Sequence, residues 1–241
     1  MNNVDTVKKT GASAPVFLWS RYDDDMTHST LIDAFATHVR ERLEGEGSGH
    51  DWFHIERVWK MGKRLAAAEG ADSLVVELAC LGHDLADWKF SGSETASGRE
   101  TRAFLEKHGV SEETIAAVTA IMDSISYKGA GVADKETTLE AKVVQDADRL
   151  DAIGAIGVAR AFAYGGHANR LLHHPDEKPV LHATKEAYMS AKGTTVNHFY
   201  EKLLLLKDRM NTETAKAIAA ERHAFMEAYL EEFFLEWEGK R

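Results

Sequence analysis

The chain has 241 residues, of which 44% are hydrophobic and 28% are charged, a composition typical of a globular protein rather than a disordered or fibrous one. Acidic residues outnumber Lys and Arg by 39 to 29, and the resulting charge of −10 excludes a global positive field for binding nucleic acid or an anionic membrane. The single cysteine, Cys80, excludes an intramolecular disulfide and a zinc site built from cysteines.

Length and residue types favour one mostly helical domain. Only three prolines occur, and alanine, leucine and glutamate are frequent. No stretch reaches the roughly 18 apolar residues of a membrane span, and the N-terminus lacks the apolar block of a signal peptide, so we expect a cytoplasmic protein without membrane contact. We interpret residues 1–28 as a loosely ordered leader and residues 29–241 as a single domain.

Apolar residues recur at helical spacing in the first half of the chain. A helix predicted from Ser29 ends at the glycine-rich stretch GEGSGH. Asp51 is expected to cap a second helix, which has His54 on its apolar stripe. A third predicted helix is apolar through LVVELACLG and ends in a polar cluster. The bounds predicted for the second to the fifth helix are about 51–69, 72–88, 93–108 and 111–125.

The second half of the chain predicts three further helices around an irregular connection. The sixth helix, from about Glu136 through Ile153, is interrupted by the acids of QDADRLD. Residues 165–184 contain a Gly-Gly pair, two prolines and four histidines, which predicts a long connection of the kind that often covers a site. Two closing helices follow, over about 196–210 and 212–237, and we interpret their aromatic stripes as core.

Several of these apolar helices carry ionisable groups that burial would penalise. Burying a charged carboxylate without a partner is costly, so the pattern suggests mutual compensation by a cation. His54, His83, Asp84 and one acid of residues 146–151 supply two imidazoles and two carboxylates. This donor set suits a divalent ion such as manganese, iron, nickel, zinc or magnesium. The spacing alone does not decide the question, because a lone histidine on an apolar face is more often a hydrogen-bonded core residue.

Three blocks in chain order, HDWFHIERV, GHDLADWKF and VVQDADRLDAIGAIG, resemble the HD-domain superfamily of metal-dependent phosphohydrolases, whose pattern is H…HD…D on an all-α fold. The resemblance extends from about His50 to Trp237. It is strongest to the bacterial branch of HD hydrolases that includes dNTP and NTP pyrophosphohydrolases. It implies an all-α HD-domain bundle that binds one divalent metal ion. The ligands that it implies are His54, His83, Asp84 and Asp148.

Two positions in this pattern have competitors. His50 precedes His54 by one helical turn, and the family pattern favours His54. Asp146 competes with Asp148, and helical periodicity does not separate them, because each shares a stripe with apolar residues. The resemblance favours Asp148. Asp146 or Asp151 would then orient a ligand histidine or an arginine as a hydrogen-bond acceptor.

Asp87 lies one turn after His83 and is therefore expected on the same side. In similar HD nucleotidases, an acid at this position is thought to position or deprotonate the attacking water. Aspartate is shorter here than the commoner glutamate, and pairing with a nearby cation is the alternative. The candidates for binding substrate phosphates, each of which would equally serve as a structural ion-pair partner, are Arg57, Lys89, Lys128 and Arg149.

The resemblance implies a divalent-metal phosphohydrolase that acts on nucleotides, splitting a (d)NTP to the (d)NMP and pyrophosphate. The alternatives are a phosphomonoesterase or cyclic-nucleotide phosphodiesterase, and a non-catalytic regulator that binds metal or nucleotide on the same fold. We expect a small phosphorylated molecule as partner, and neither nucleic acid nor membrane. The aromatic C-terminal helices would also suit a homodimer seam, although packing within one chain explains them equally well.

Overall fold

A computed structural model of the protein describes residues 27–43, 51–85, 96–124, 137–181 and 193–241. These ranges are helical with irregular connections and contain no strand, which confirms the predicted all-α class. None of their helices is both long and apolar enough to cross a membrane. The helices are α1 (His28–Leu43), α2 (Trp52–Glu69), α3 (Ser73–Gly82), α4 (Ala96–Lys107), α5 (Glu112–Ser124), α6 (Leu139–Asp151), α7 (Gly154–His167), α8 (Thr195–Glu201), a 3-10 helix (Leu203–Arg209) and α9 (Glu213–Trp237).

Polar side chains cap the helices that later position the site. The Asp51 side chain accepts a hydrogen bond from the main-chain N–H of His54 at 2.9 Å, so the predicted start of α2 is confirmed. Thr138 and Thr212 cap α6 and α9 in the same way. Gly70, with φ of 75°, ends α2 in the left-handed conformation that glycine adopts without strain.

Helix α3 is the centre of the bundle. It packs against α1, α2, α4, α5 and α6, so apolar residues are buried on all its sides, as the continuous run LVVELACLG requires. The helix ends at Gly82, and a turn over residues 83–85 follows. The buried helix thereby fixes the place of His83 and Asp84.

The predicted end of the sixth helix, at Ile153, lies two residues beyond the observed end, and the helix that follows was not predicted. Helix α6 ends at Asp151, and α7 begins at Gly154, which has φ of 76°. A side chain there would be strained, and its Cβ would also lie 2.9 Å from Cγ of Arg222. Because the chain breaks here, α7 packs against α9 instead of extending α6.

The C-terminal part also differs in detail from the predicted elements. The first closing helix is divided into α8 and the 3-10 helix by Lys202, whose φ of −142° is not helical. Phe199 is fully buried, but 48% of Phe225 and 47% of Trp237 are exposed, so the prediction that the aromatic stripes are core is wrong for these two residues. The aromatic stripe is wider than the surface that packs against it, so the residues at its edges remain exposed to solvent.

The connection predicted over residues 165–184 begins later, because residues 165–167 belong to α7. Residues 168–181 are irregular and are bound to α8. The main-chain N–H of Thr195 donates to the Leu171 carbonyl at 2.9 Å, and Glu201 accepts from the N–H of Val180 at 3.0 Å. These hydrogen bonds attach the connection to α8. The predicted leader lies outside the described residues except at its last two positions, as do residues 182–192.

Helices α2 and α3 approach closely because Gly62 lacks a side chain. A Cβ at Gly62 would lie 2.5 Å from Cys80 Sγ and 3.3 Å from Val76 Cγ1. Cys80 is fully buried at this contact, as expected for a thiol that fills the core. The close approach brings α2, which carries His54, next to α3, which directly precedes His83.

We therefore expect Gly62→Ala to lower the free energy of unfolding by about 1–3 kcal/mol through overpacking, as measured by urea denaturation. Gly166→Ala is the matched control, because Gly166 is also helical and a Cβ added to it would have no neighbouring atom within 4 Å. It should raise stability by up to about 1 kcal/mol. Adding Cys80→Ala to Gly62→Ala should recover part of the loss. Wild-type stability of Gly62→Ala would contradict this account of the contact.

Candidate metal centre

Three separate elements bring polar side chains to one place in the bundle. The first turn of α2 presents His54, the turn after α3 presents His83 and Asp84, and α6 presents Asp148. Both imidazoles are almost fully buried, whereas 25% of the Asp84 side chain and 38% of the Asp148 side chain are exposed. The cluster therefore opens to solvent on its carboxylate side.

Each imidazole Nε2 of this cluster lies at a similar distance from an oxygen of both carboxylates. His54 Nε2 is 3.6 Å from both Asp84 Oδ2 and Asp148 Oδ1. His83 Nε2 is 3.6 Å from the same Asp84 oxygen and 3.9 Å from the same Asp148 oxygen. Ligand atoms of His54, His83 and Asp84 all lie within 4.8 Å of one another, and Asp148 Oδ1 faces both imidazoles. This is a donor set that divalent transition metals accept.

Hydrogen bonds on the far side of each imidazole fix its orientation. His83 Nδ1 lies 2.8 Å from the Cys80 carbonyl, which only accepts, so Nδ1 carries the proton and Nε2 offers its lone pair to the cluster. His83 Nε2 is buried and has no hydrogen-bond partner among the described residues. His54 Nδ1 likewise donates to Asp151 Oδ2 at 2.7 Å. Imidazoles oriented in this way fit a metal ion at Nε2.

The electrostatics of the cluster favour a positive charge within it. Burial is the largest influence on the His54 imidazole and acts to lower its pKa, but hydrogen bonds to Asp151 and Asp84 outweigh it and raise the pKa to about 9. Without a metal ion, the carboxylates therefore hold a proton on His54. A divalent cation would meet the same demand for positive charge and would displace that proton.

Asp151, which was one of two candidates for a supporting acid, has this role in the structure. Besides His54, its carboxylate accepts from Arg57 Nε at 2.7 Å and from Arg160 Nη1 at 2.6 Å. Burial, the largest influence, acts to raise the pKa of Asp151, but the bonds from His54 and Arg57 hold it well below its usual range. Asp151 therefore remains charged and orients His54.

Asp146 has a different environment from Asp148. Its buried carboxylate accepts the main-chain N–H groups of Asn211 and Thr212, at 2.9 and 2.8 Å, and the hydroxyl of Thr212. These contacts attach α6 to the start of α9. The structure thus directs Asp148 to the cluster and Asp146 to a structural contact, a distinction that helical periodicity did not make.

The arginines proposed as phosphate ligands differ in accessibility. Arg57 pairs with Asp151, and 33% of its side chain is exposed. Arg149 is buried and donates to the main-chain carbonyl of Arg209, away from solvent. Arg160, which also binds Asp151, was not among the predicted site residues, because it lies on α7, a helix that the sequence pattern did not predict. The other predicted site residues lie outside the described residues: the catalytic candidate Asp87 and the phosphate-binding candidates Lys89 and Lys128.

Comparisons with known proteins find the same fold. The family pattern of the HD domain matches residues 52–153. The uncharacterized protein YpgQ of Bacillus subtilis is 41% identical over 191 residues, which are 79% of this chain and 85% of YpgQ.

Several solved structures also have folds similar to that of this chain. A protein from Lactobacillus plantarum has a TM-score of 0.78 and 38% identity, with coverage of 89% of this chain and 100% of that one. An HD-superfamily hydrolase from Bacillus thuringiensis has a TM-score of 0.71 and 42% identity, with coverage of 88% and 99%. YpgQ in complex with ADP has a TM-score of 0.66 and 37% identity, with coverage of 84% and 95%.

Replacing Asp84 with Ala should weaken Mn²⁺ binding at least about 100-fold while far-UV helicity stays intact, because the residue lies in a turn rather than in the core. At a free Mn²⁺ concentration of about 100 times the wild-type Kd, wild-type protein should gain about 2.7 kcal/mol of stability, measured by thermal unfolding, and Asp84→Ala should gain at most about 0.4 kcal/mol. Asp33→Ala, an exposed change on α1, is the control and should respond as wild type. Full Mn²⁺ stabilisation of Asp84→Ala would mean that the ligand set is different.

Proposed function

Because this chain belongs to the HD-domain superfamily and has the fold of HD-superfamily hydrolases, we propose that it is a divalent-metal-dependent phosphohydrolase of nucleotides. The proposed reaction converts a (d)NTP and water to the (d)NMP and pyrophosphate. The observation that carries the proposal is the convergence of two imidazole nitrogens and two carboxylate oxygens at 3.6–3.9 Å, with His83 Nε2 buried and available as a ligand.

His54, His83, Asp84 and Asp148 are the proposed ligands of a single ion. Manganese, iron, nickel, zinc and magnesium are all compatible with this mixed donor set. When bound, such an ion lowers the pKa of water and neutralises charge on phosphoryl oxygens. The chain itself supplies the orientation: Cys80 and Asp151 hold the two imidazoles, and the exposed carboxylate side leaves access for substrate.

A nucleotide substrate is supported by a relative and by the local charge. The Bacillus subtilis protein YpgQ has been solved in complex with ADP, and we extend that ligand class to this chain. The chain carries a net charge of −10, so attraction of a phosphate must come from cations near the site. Arg57 is the proposed cation among the described residues, and Lys89 and Lys128 are proposed from the sequence alone.

In the proposed reaction, the oxygen of water forms a bond to the α-phosphorus, and the bond from that phosphorus to the bridging oxygen breaks. The bridging oxygen leaves with pyrophosphate. Asp87 is proposed to accept the proton of the attacking water at its carboxylate and to release it to solvent. Its position one turn after His83 in the sequence supports this role.

Product analysis separates this reaction from its alternatives. With Mn²⁺ and dGTP or dCTP, we expect stoichiometric pyrophosphate and the monophosphate, detected by ion-exchange chromatography. A phosphomonoesterase would release free phosphate, and a cyclic-nucleotide phosphodiesterase would open a cyclic monophosphate instead. Metal or nucleotide binding without turnover of any of these substrates would favour a regulator on the same fold. Asp84→Ala is the inactive control.

Replacing Asp87 with Asn should lower kcat by roughly 10²-fold or more while Mn²⁺ binding remains, because the amide has the same shape but does not accept the proton. The measurements are turnover and metal content on the same sample. Asp176→Asn changes an exposed acid elsewhere and should leave both unchanged. Normal turnover of Asp87→Asn would assign this carboxylate a structural role.

A further inference from the structure

One buried carboxylate holds two guanidinium groups beside the candidate metal centre. Asp151 accepts from Arg57, which comes from α2, through Nε and Nη2 at 2.7 and 3.0 Å. It also accepts from Arg160, which comes from α7, through Nη1 at 2.6 Å. With His54, the carboxylate thus has four hydrogen-bond donors from three side chains, and its own charge is shared by two cations.

Two further acids near Arg57 have contacts of their own. Asp51 and Glu56 act on Arg57 electrostatically, but Asp51 caps α2, and Glu56 pairs with Lys60 at 2.9 Å. A third guanidinium, that of Arg222, also lies close enough to interact with Asp151. Arginine is thus concentrated at one place on a chain whose net charge is −10.

Both arginine side chains reach solvent, although the acid that holds them is almost fully buried. The Arg57 side chain is 33% exposed and that of Arg160 is 24% exposed, against 6% for Asp151. Arg57 binds Asp151 with Nε and Nη2, so Nη1 is directed away from that carboxylate. Planar guanidiniums fixed in this way are suited to bind phosphate oxygens.

The arginine pair is separated from the candidate metal centre by a single imidazole ring. His54 contacts Asp151 with Nδ1 and faces Asp84 and Asp148 with Nε2. A ligand with several linked phosphates is longer than a monophosphate and is therefore better suited to contact both places.

We infer that Arg57 and Arg160, held by Asp151, form a binding site for the polyphosphate chain of the substrate, at the end that leaves as pyrophosphate. This inference rests on the proposed function. It adds Arg160 to the substrate site and assigns Asp151 a second role, as the positioning residue of both the metal ligand His54 and the phosphate-binding arginines. It also makes triphosphates, rather than monophosphates, the preferred substrates.

The test is calorimetric titration of the full chain, kept metal-free with EDTA, with inorganic tripolyphosphate. We expect wild-type protein to bind and Arg160→Gln to bind about tenfold more weakly or worse, because a charged hydrogen bond is lost. The control is Arg102→Gln, since Arg102 on α4 pairs with Glu106 and Glu112, and this variant should be within about twofold of wild type. Equal affinity of Arg160→Gln and wild type would overturn the inference.

A second measurement does not depend on the folding of a variant. In wild-type protein, the NMR signals of the Nε–H groups of Arg57 and Arg160 should shift when tripolyphosphate is added, and that of Arg102 should not. Absence of any shift at Arg57 and Arg160 would overturn the inference.

Turnover distinguishes this inference from the proposed function. In the Mn²⁺-loaded enzyme, Arg160→Gln should raise the inhibition constant of pyrophosphate about tenfold and leave that of inorganic phosphate within about twofold. Release of pyrophosphate from dNTP with unchanged pyrophosphate inhibition in the variant would reject the arginine site alone. Arginine-dependent tripolyphosphate binding without any turnover would support the site and reject the proposed reaction.

Discussion

The arrangement of the bundle depends on the compensation of charge where α2, α6 and the turn after α3 meet. His54 and His83 are buried there against Asp84 and Asp148, and charged groups are stable inside a protein only when each finds an opposite charge or a hydrogen bond. The close contact of α2 with α3 and the attachment of α6 to α9 by Asp146 hold these groups in place. The helical core therefore fixes the position of this polar cluster.

Asp151 connects this cluster to the surface. One of its oxygens orients a histidine of the cluster, and both of its oxygens bind the guanidinium of Arg57. Because the carboxylate is almost fully buried and multiply hydrogen-bonded, it is a rigid support for groups on either side. The candidate metal centre and the proposed phosphate site consequently share one structural element.

Much of the helical architecture could be predicted from local pattern. Asp51, the stripe of α2 and the apolar run of α3 identified their helices because capping and periodicity act within a few residues. Helix α7 was not predicted, and the need for glycine at its first residue, Gly154, shows only in the positive φ there and in the packing against Arg222. The exposure of Phe225 and Trp237 was not predicted, because an apolar stripe in the sequence does not show how much of the helix its neighbours cover.

For the candidate site, the sequence by itself determined the fold class, the family resemblance and the residue types able to bind a cation, since these depend on composition, spacing and motif. Only the tertiary structure decided that Asp148 rather than Asp146 faces the histidines, that Asp151 supports His54, and that Arg160 rather than Arg149 joins Arg57. Neighbouring residues on one helix have similar local signals, and their partners come from distant parts of the chain. Which way each carboxylate and guanidinium is directed is therefore set by the packing of several helices together.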